Sequence, residues 1–314
     1  MKTQQLGTSA LKASRLAYGC WRLVQADGPD ALNAEQLGVA REAVCAAYEA
    51  GFTLFDLADI YSRGAAEAAL GRTLKDVPGM RDRILITTKC GIRHADHPEP
   101  GAPYRYDFSE THILRSCEGS LKRLGVGTID LYLLHRPDLL CDPEEVARAF
   151  SKLQESGKVR EFGVSNFRPS QVAMLQKHCP MPLVANQIEL SLWRLDPLLD
   201  GTVDHCVQER ITPQAWSPLA GGTLVSKAEV HIEKTDDARL NRIQEVLIEL
   251  AHARGVTPMA MALAWLLRHP AGIMPIIGSV KPERIREAAT AGAIEMTREE
   301  WYRLLEGAHG CRLP

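Results

Sequence analysis

No run of apolar residues approaches the length of a bilayer span; the longest, 259–267, suits a core helix. Charge of one sign is also missing, with 37 Lys and Arg against 39 Asp and Glu, a formal net charge of −2. A nucleic-acid partner would call for a basic excess, so neither nucleic acid nor membrane is expected as a partner. Low-complexity tracts are absent, which excludes collagen-like and linker-dominated architectures. None of the eight cysteines forms a CxxC pair, and 314 residues can bury a core without staples. Reduced thiols in a cytoplasmic protein are therefore expected. The opening ten residues lack the apolar segment of a signal peptide. Neither GxGxxG nor GxxxxGK(S/T) occurs, so the usual phosphate-loop fingerprints are missing too.

What is present is alternation. Short strand-like runs fall at 16–21, 53–57, 84–88, 129–134, 160–164, 183–187, 212–216 and 273–277. Helical spacing fills the stretches between them, for example 35–50, 110–124, 143–155 and 170–178. Gly51, Gly125 and Gly157 stand where helix C-terminal caps belong, and Asp142-Pro143-Glu144-Glu145 reads as an N-cap with an acidic first turn. Eight β–α units in succession predict a closed parallel (β/α)8 TIM barrel, one domain over residues 1–314. A doubly wound open sheet is the rival, disfavoured by the missing glycine fingerprint. Residues 3–15 predict an N-terminal β-hairpin across the barrel bottom. Residues 91–109 and 219–235 predict long loops at the C-terminal mouth, and 298–306 an extra C-terminal helix.

The strand ends carry the chemistry. The second strand runs into Asp56 and Tyr61, the third into Lys89, the fourth into His135 and the fifth into Ser165-Asn166. The sixth delivers Gln187, the seventh Trp216-Ser217 and the eighth Gly278-Ser279. Each alone has an ordinary explanation, as a helix cap, a solvated lysine, a core histidine or a turn. Together, Asp56, Tyr61, Lys89 and His135 share one opening. A phenol of pKa ~10 is a poor acid at neutral pH. A cation about 4 Å away contributes roughly 4 kcal/mol at an effective dielectric of 20, or about 3 pKa units. On that arithmetic Lys89 brings Tyr61 close to neutrality, while Lys89, half-buried, is inclined to lose its own proton. Asp56 holds that charge by pairing with it, and His135 donates a hydrogen bond toward a carbonyl oxygen beside Tyr61. The outcome is a general acid aimed at a forming oxyanion. Tyrosine suits reduction of a carbonyl better than hydrolysis, with the hydride brought by another group.

These elements, in this order, resemble the aldo-keto reductases of the bacterial oxidoreductase branch over residues 3–308. The D-x-A-x-x-Y-G element stands as Asp56 to Ser62, with serine in place of the glycine. Leu133-Leu134-His135-Arg136-Pro137-Asp138 matches L-L-H-x-P-D, and G-K-V-R-x-F-G-V-S-N-F is intact from Gly157 to Phe167. The resemblance implies a barrel that binds NADPH without a Rossmann domain and reduces a small-molecule aldehyde or ketone. It implies that Ser165, Asn166 and Gln187 bind the nicotinamide carboxamide and that Trp216 stacks on its ring. Ser217, Leu219, Gly221 and Gly222 would line the pyrophosphate. Cys20 and Trp21 are added on the cofactor side, and Gly278, Ser279, Lys281 and Arg284 around the 2′-phosphate. Barrel physics supports that last group, because a helix begins near Lys281-Pro282-Glu283 and its N-terminus favours an anion. Two further departures fall here: Gly278 stands where many members have lysine, and Ala288 where many have an adenine-contacting asparagine.

Two other readings compete. A metal-dependent barrel hydrolase would use His94, Asp96 and His97 with Asp56 and Asp59, although its HxD and HxH patterns are missing. A catalytically silent NADPH-binding redox sensor or partner-binding subunit would keep the same residues. Trp21, Tyr104, Tyr106 and Trp193 suggest an aromatic substrate pocket. No metal is expected, and oligomeric state has no signature in the sequence.

Overall fold

The computed structural model describes residues 1–225 and 237–312. Eight parallel strands pair in chain order and close on themselves: β1 (Ala17–Gly19), β2 (Leu54–Asp56), β3 (Leu85–Cys90), β4 (Ile129–Leu134), β5 (Val159–Ser165), β6 (Leu183–Glu189), β7 (Thr212–Trp216) and β8 (Met274–Ile277). Helices follow them, among them Ala65–Asp76 after β2, Glu110–Leu124 after β3, Pro258–Arg268 before β8 and Pro282–Ala289 after it. The last helix, Arg298–His309, packs outside the barrel against Ala238–Arg254. All eight expected strands are found.

Their ends differ for local reasons. β1 stops short because a turn, closed by the Leu23 N–H on Cys20 O at 3.1 Å, begins at Cys20. β3 runs two residues further than expected because Lys89 and Cys90 pair with Leu133 and Leu134 of β4. Lys89 is thereby fixed within a ladder rather than on a loop. The expected Asp142 cap accepts from the Glu144 N–H at 2.9 Å. Residues 91–109 contain a short antiparallel pair, Ile92–Arg93 with Arg105–Tyr106. Much of the expected loop 219–235 lies outside the described residues.

Period-two alternation sorts each strand between two cores. On β4, Leu131 and Leu133 point into the barrel, while Tyr132 and Leu134 pack against the helix layer. On β3, Thr88 faces that layer, its hydroxyl donating to Glu67 at 2.6 Å, which turns Lys89 inward. Below sits an apolar plug of Leu54, Leu131, Leu133, Met274 and Ile276; Leu6, Leu11 and Ala13 of the N-terminal hairpin complete it. The hairpin (Thr3–Gln5 with Lys12–Ser14) caps the strand starts, as expected. Gln4 donates to Gly272 O at 2.8 Å, the Gly7 N–H to Thr212 Oγ1 at 2.7 Å and the Ser14 N–H to Thr53 Oγ1 at 2.7 Å. Gly7 is required: its φ is +53°, and a Cβ there would lie 2.6 Å from Val184 O. Among the described residues no helix is long and apolar enough to cross a membrane.

Candidate active site

A cavity of about 860 Å³ opens at the carboxyl ends of the strands. Asp56, Tyr61 and His135 line it, with Lys89 fully buried beneath them. Lys89 Nζ donates to Asp56 Oδ2 at 2.8 Å, to Leu57 O at 2.6 Å and to the Tyr61 hydroxyl at 3.2 Å. All three ammonium protons therefore have acceptors. Asp56 Oδ1 accepts from Gln187 Nε2 at 2.8 Å, so both carboxylate oxygens are held. Tyr61 and His135 meet edge to face, with ring centroids 5.8 Å apart.

The turn that presents Tyr61 is strained. Ser62 and Arg63 both lie in the left-handed region, at φ 47° and 52°. A glycine would be free of that cost, roughly 1–2 kcal/mol per residue. Ser62 offsets it by donating its hydroxyl to Val24 O at 2.7 Å. The serine at that position thus ties the Tyr61 turn to the segment after β1.

Electrostatics depart from the sequence-based arithmetic. Lys89 is wholly buried rather than half-buried. Burial pulls its pKa down, but Asp56 and then Tyr61 more than offset this, and the net direction is upward. Lys89 keeps its proton. Burial also pushes the Tyr61 phenol up by more than Lys89 pulls it down. Asp56 adds to the rise, because its carboxylate offsets part of the field that Lys89 projects. Tyr61 is thus a protonated phenol resting on an ammonium, the state in which a general acid begins. His135 is held well below the ordinary imidazole range, first by burial and then by Lys89 and Arg136. It is neutral, and its Nδ1 is buried without a partner.

Most of the residues expected around a cofactor line the same cavity: Trp21, Ser165, Asn166, Gln187, Trp216, Ser217, Leu219, Gly221, Gly222, Gly278, Ser279 and Arg284. The polar ones are already ordered. Ser165 Oγ donates to Gln187 O at 2.9 Å, Asn166 Nδ2 to Ser165 Oγ at 2.8 Å, and Trp216 Nε1 to Asn166 Oδ1 at 2.9 Å. Cys20 and Lys281 do not belong to the wall. Cys20 is fully buried behind Gly19, its thiol pushed up by burial. Lys281 caps the helix Pro282–Ala289 from outside, its N–H on Ser279 Oγ at 3.2 Å. Of the expected pocket aromatics, Trp21 and Tyr104 line the cavity. Tyr106 instead packs on Tyr104, and Trp193 lies under the Arg239 guanidinium at 4.8 Å.

Apart from Ala288, already noted as a departure, the other wall residues carried no sequence signal. Arg136 stacks over the Trp216 ring at 5.3 Å, and Arg22 over Trp21 at the same distance. Val256 to Met259, at the start of Pro258–Arg268, close another side, with Glu287 and Ala288 beside Arg284. Among the described residues no group of three His, Cys, Asp or Glu is placed to hold a metal ion. His94 and His97 line a different cavity from Asp56.

The chain is similar to known proteins over nearly its whole length. The family model "Aldo/keto reductase family" matches residues 15–307. The uncharacterised oxidoreductase YcsN of Bacillus subtilis is 43% identical over 307 residues, covering 97% of each chain. A 6-dehydroglucose reductase of Agrobacterium fabrum is 42% identical over 301 residues, covering 96% of each. The crystal structure of an aldo/keto reductase from Klebsiella pneumoniae, in complex with NADP and acetate, superposes with a TM-score of 0.75 at 27% identity, covering 96% of this chain and 94% of that one. The chain belongs to the aldo/keto reductase family and is an oxidoreductase enzyme.

Proposed function

We propose that the protein reduces a small aldehyde or ketone to the alcohol with NADPH, and that Tyr61 is the general acid. The wall fits that cofactor. Trp216 offers an aromatic face, and at Gly221 and Gly222 an added Cβ would meet nothing within 4 Å, leaving room for a bulky anion. Ser279 and Arg284 add a hydroxyl and a guanidinium for a phosphate. When bound, NADPH supplies the hydride.

The chain's own groups do the rest. The Tyr61 hydroxyl gives its proton to the substrate oxygen as negative charge develops there. Lys89, charged and 3.2 Å away, stabilises the phenolate left behind. Asp56 and Gln187 keep Lys89 in register. Neutral His135 orients the carbonyl by a hydrogen bond. One hydride and one proton added across the C=O bond balance the reaction.

The observation that carries this reading is the Tyr61 hydroxyl on the cavity wall, hydrogen-bonded to a lysine locked between Asp56 and Leu57 O. Tyr61→Phe is expected to lower turnover by about 10²–10⁴-fold. NADPH affinity, followed by quenching of tryptophan fluorescence, should stay unchanged. Near wild-type turnover on several carbonyls would remove Tyr61 from the role. Given the Agrobacterium relative's name, sugar aldehydes such as 6-dehydroglucose belong first in the panel.

A further inference from the structure

The charges in the wall of the active-site cavity are unevenly matched. Asp56 pairs with the buried Lys89, and Glu287 stands beside Arg284 on the helix after β8. The remaining charges among the described wall residues are the guanidinium groups of Arg22 and Arg136, with no further carboxylate to answer them.

Arg136 is held unusually firmly for an arginine without a partner. Its neighbours along the chain are pinned: the His135 N–H donates to Cys90 O at 2.9 Å, and Asp138 accepts the N–H groups of Phe108 at 3.0 Å and Leu140 at 2.9 Å. Its guanidinium lies over Trp216, whose ring is itself fixed by Asn166. Arg136 is partly buried. Every other described arginine that is not exposed donates to a carboxylate or a carbonyl: Arg93 to Asp107, Arg123 to Glu67, Arg81 to Thr128 O, Arg15 to Leu267 O, Arg105 to His97 O and Arg239 to Ala308 O. Arg136 alone of this set donates to nothing among the described residues, and its nitrogens are not sealed from solvent. A guanidinium stacked on a ring keeps its donors along its edge, so a fork of N–H groups stands ready without an acceptor.

That fork lies on the substrate side. Arg136 follows His135, and its charge helps hold the His135 imidazole down and works against the upward push of burial on Tyr104. Trp21, Ile92 and Tyr104 add apolar surface to the same cavity.

We propose that the substrate is an oxo acid, an aldehyde or ketone whose carboxylate is gripped by Arg136 while its carbonyl meets Tyr61 and His135. This rests on the reductase reading above and narrows its substrate class. A carboxylate offers two oxygens to the fork, whereas a neutral compound offers at best neutral acceptors, whose hydrogen bonds are roughly half as strong. Arg22, exposed over Trp21, adds attraction of the same sign.

The test compares succinic semialdehyde with its methyl ester, and 4-carboxybenzaldehyde with its methyl ester, as kcat/KM with NADPH in wild type and Arg136→Met. Taking the acid-to-ester ratio in both proteins cancels the intrinsic reactivity of each carbonyl. Wild type is expected to favour at least one acid by about ten- to 150-fold, the scale of a charged hydrogen bond. Arg136→Met should bring that ratio close to one, mainly through KM, and Arg136→Lys, charged but without the planar fork, should keep part of it. Esters reduced as well as acids by wild type would overturn the proposal and leave the reductase reading standing. So would equal losses for acid and ester in Arg136→Met, the result expected of an arginine that serves the cofactor or the fold. Calorimetric titration of 4-(hydroxymethyl)benzoate and its methyl ester into both proteins loaded with NADP+ reads the grip without turnover. Tighter binding of the acid that is lost in Arg136→Met supports the grip even if no carbonyl is reduced, which would count against the reductase reading; equal binding of acid and ester overturns the grip.

Discussion

Removing Lys89 and Asp56 one at a time, then together, separates what the pair does for stability from what it does for turnover. At 2.8 Å and an effective dielectric of 20, their attraction is about 6 kcal/mol, most of which desolvation takes back. Lys89→Met leaves the Asp56 carboxylate buried with Gln187 as its one donor, and Asp56→Leu leaves the ammonium with Leu57 O and Tyr61. Either single change should cost about 3–5 kcal/mol, the scale of an uncompensated buried charge. For a domain of 314 residues, at about 2.1 cal/mol/K per residue, that is a fall in Tm of about 5–8 °C. The double variant buries two apolar side chains, and Gln187 keeps Gln214 as an acceptor at 3.2 Å. It should recover most of the lost Tm while remaining as inactive as Lys89→Met. Thermal melts and NADPH oxidation on the same four proteins provide the assay. A double variant no more stable than either single one would refute the paired-charge account. Recovered activity in it would refute the role given to Lys89.

Arg284→Ala should weaken NADPH by ~1.5–3 kcal/mol, about ten- to 150-fold, and leave NADH nearly unchanged; equal losses for both nucleotides would move the phosphate site elsewhere. Any residual activity of Lys89→Met should have its pH profile displaced to the alkaline side, because the group that lowers the Tyr61 pKa is gone. Asp59 is raised from 3.8 to about 7, so its contribution to stability is full below pH 3.8 and falls as pH rises through 7. Asp59→Asn should therefore gain about 1–4 kcal/mol on wild type between pH 4 and pH 8, read from melts across that range; a difference that does not change with pH would show that Asp59 is not buried as a charge.

The barrel was legible because its pattern is local. Each strand is a short aliphatic run, and Asp142-Pro143 or Gly125 marks a helix end by its own chemistry. Asp56, Tyr61, Lys89 and His135 were legible as a set because each stands at or soon after the end of a strand. Their energetics were not. The full burial of Lys89 depends on the register of β3 against β4, and the hold on Asp56 comes from Gln187, 131 residues away. The separate cavity of His94 and His97 was hidden for the same reason. They were read as neighbours in one loop, whereas their companions Arg115 and Arg123 come from the following helix. Cys20 lies behind the cavity wall, where Gly19 stands instead, because the strand ends in a turn that begins at Cys20.

The hairpin under the barrel bears on how the chain emerges from the ribosome. Its docking partners Thr212 and Gly272 follow Gly7 and Gln4 by 205 and 268 residues. At about 5–20 residues per second, the later contact becomes available only ~13–54 s after the hairpin has been made. For that interval Leu6 and Leu11, fully or almost fully buried in the finished molecule, have no barrel to enter. A nascent chain therefore carries a greasy loose end through most of its synthesis, and the protein is exposed to chaperone capture or mispairing at its floor rather than at its chemistry.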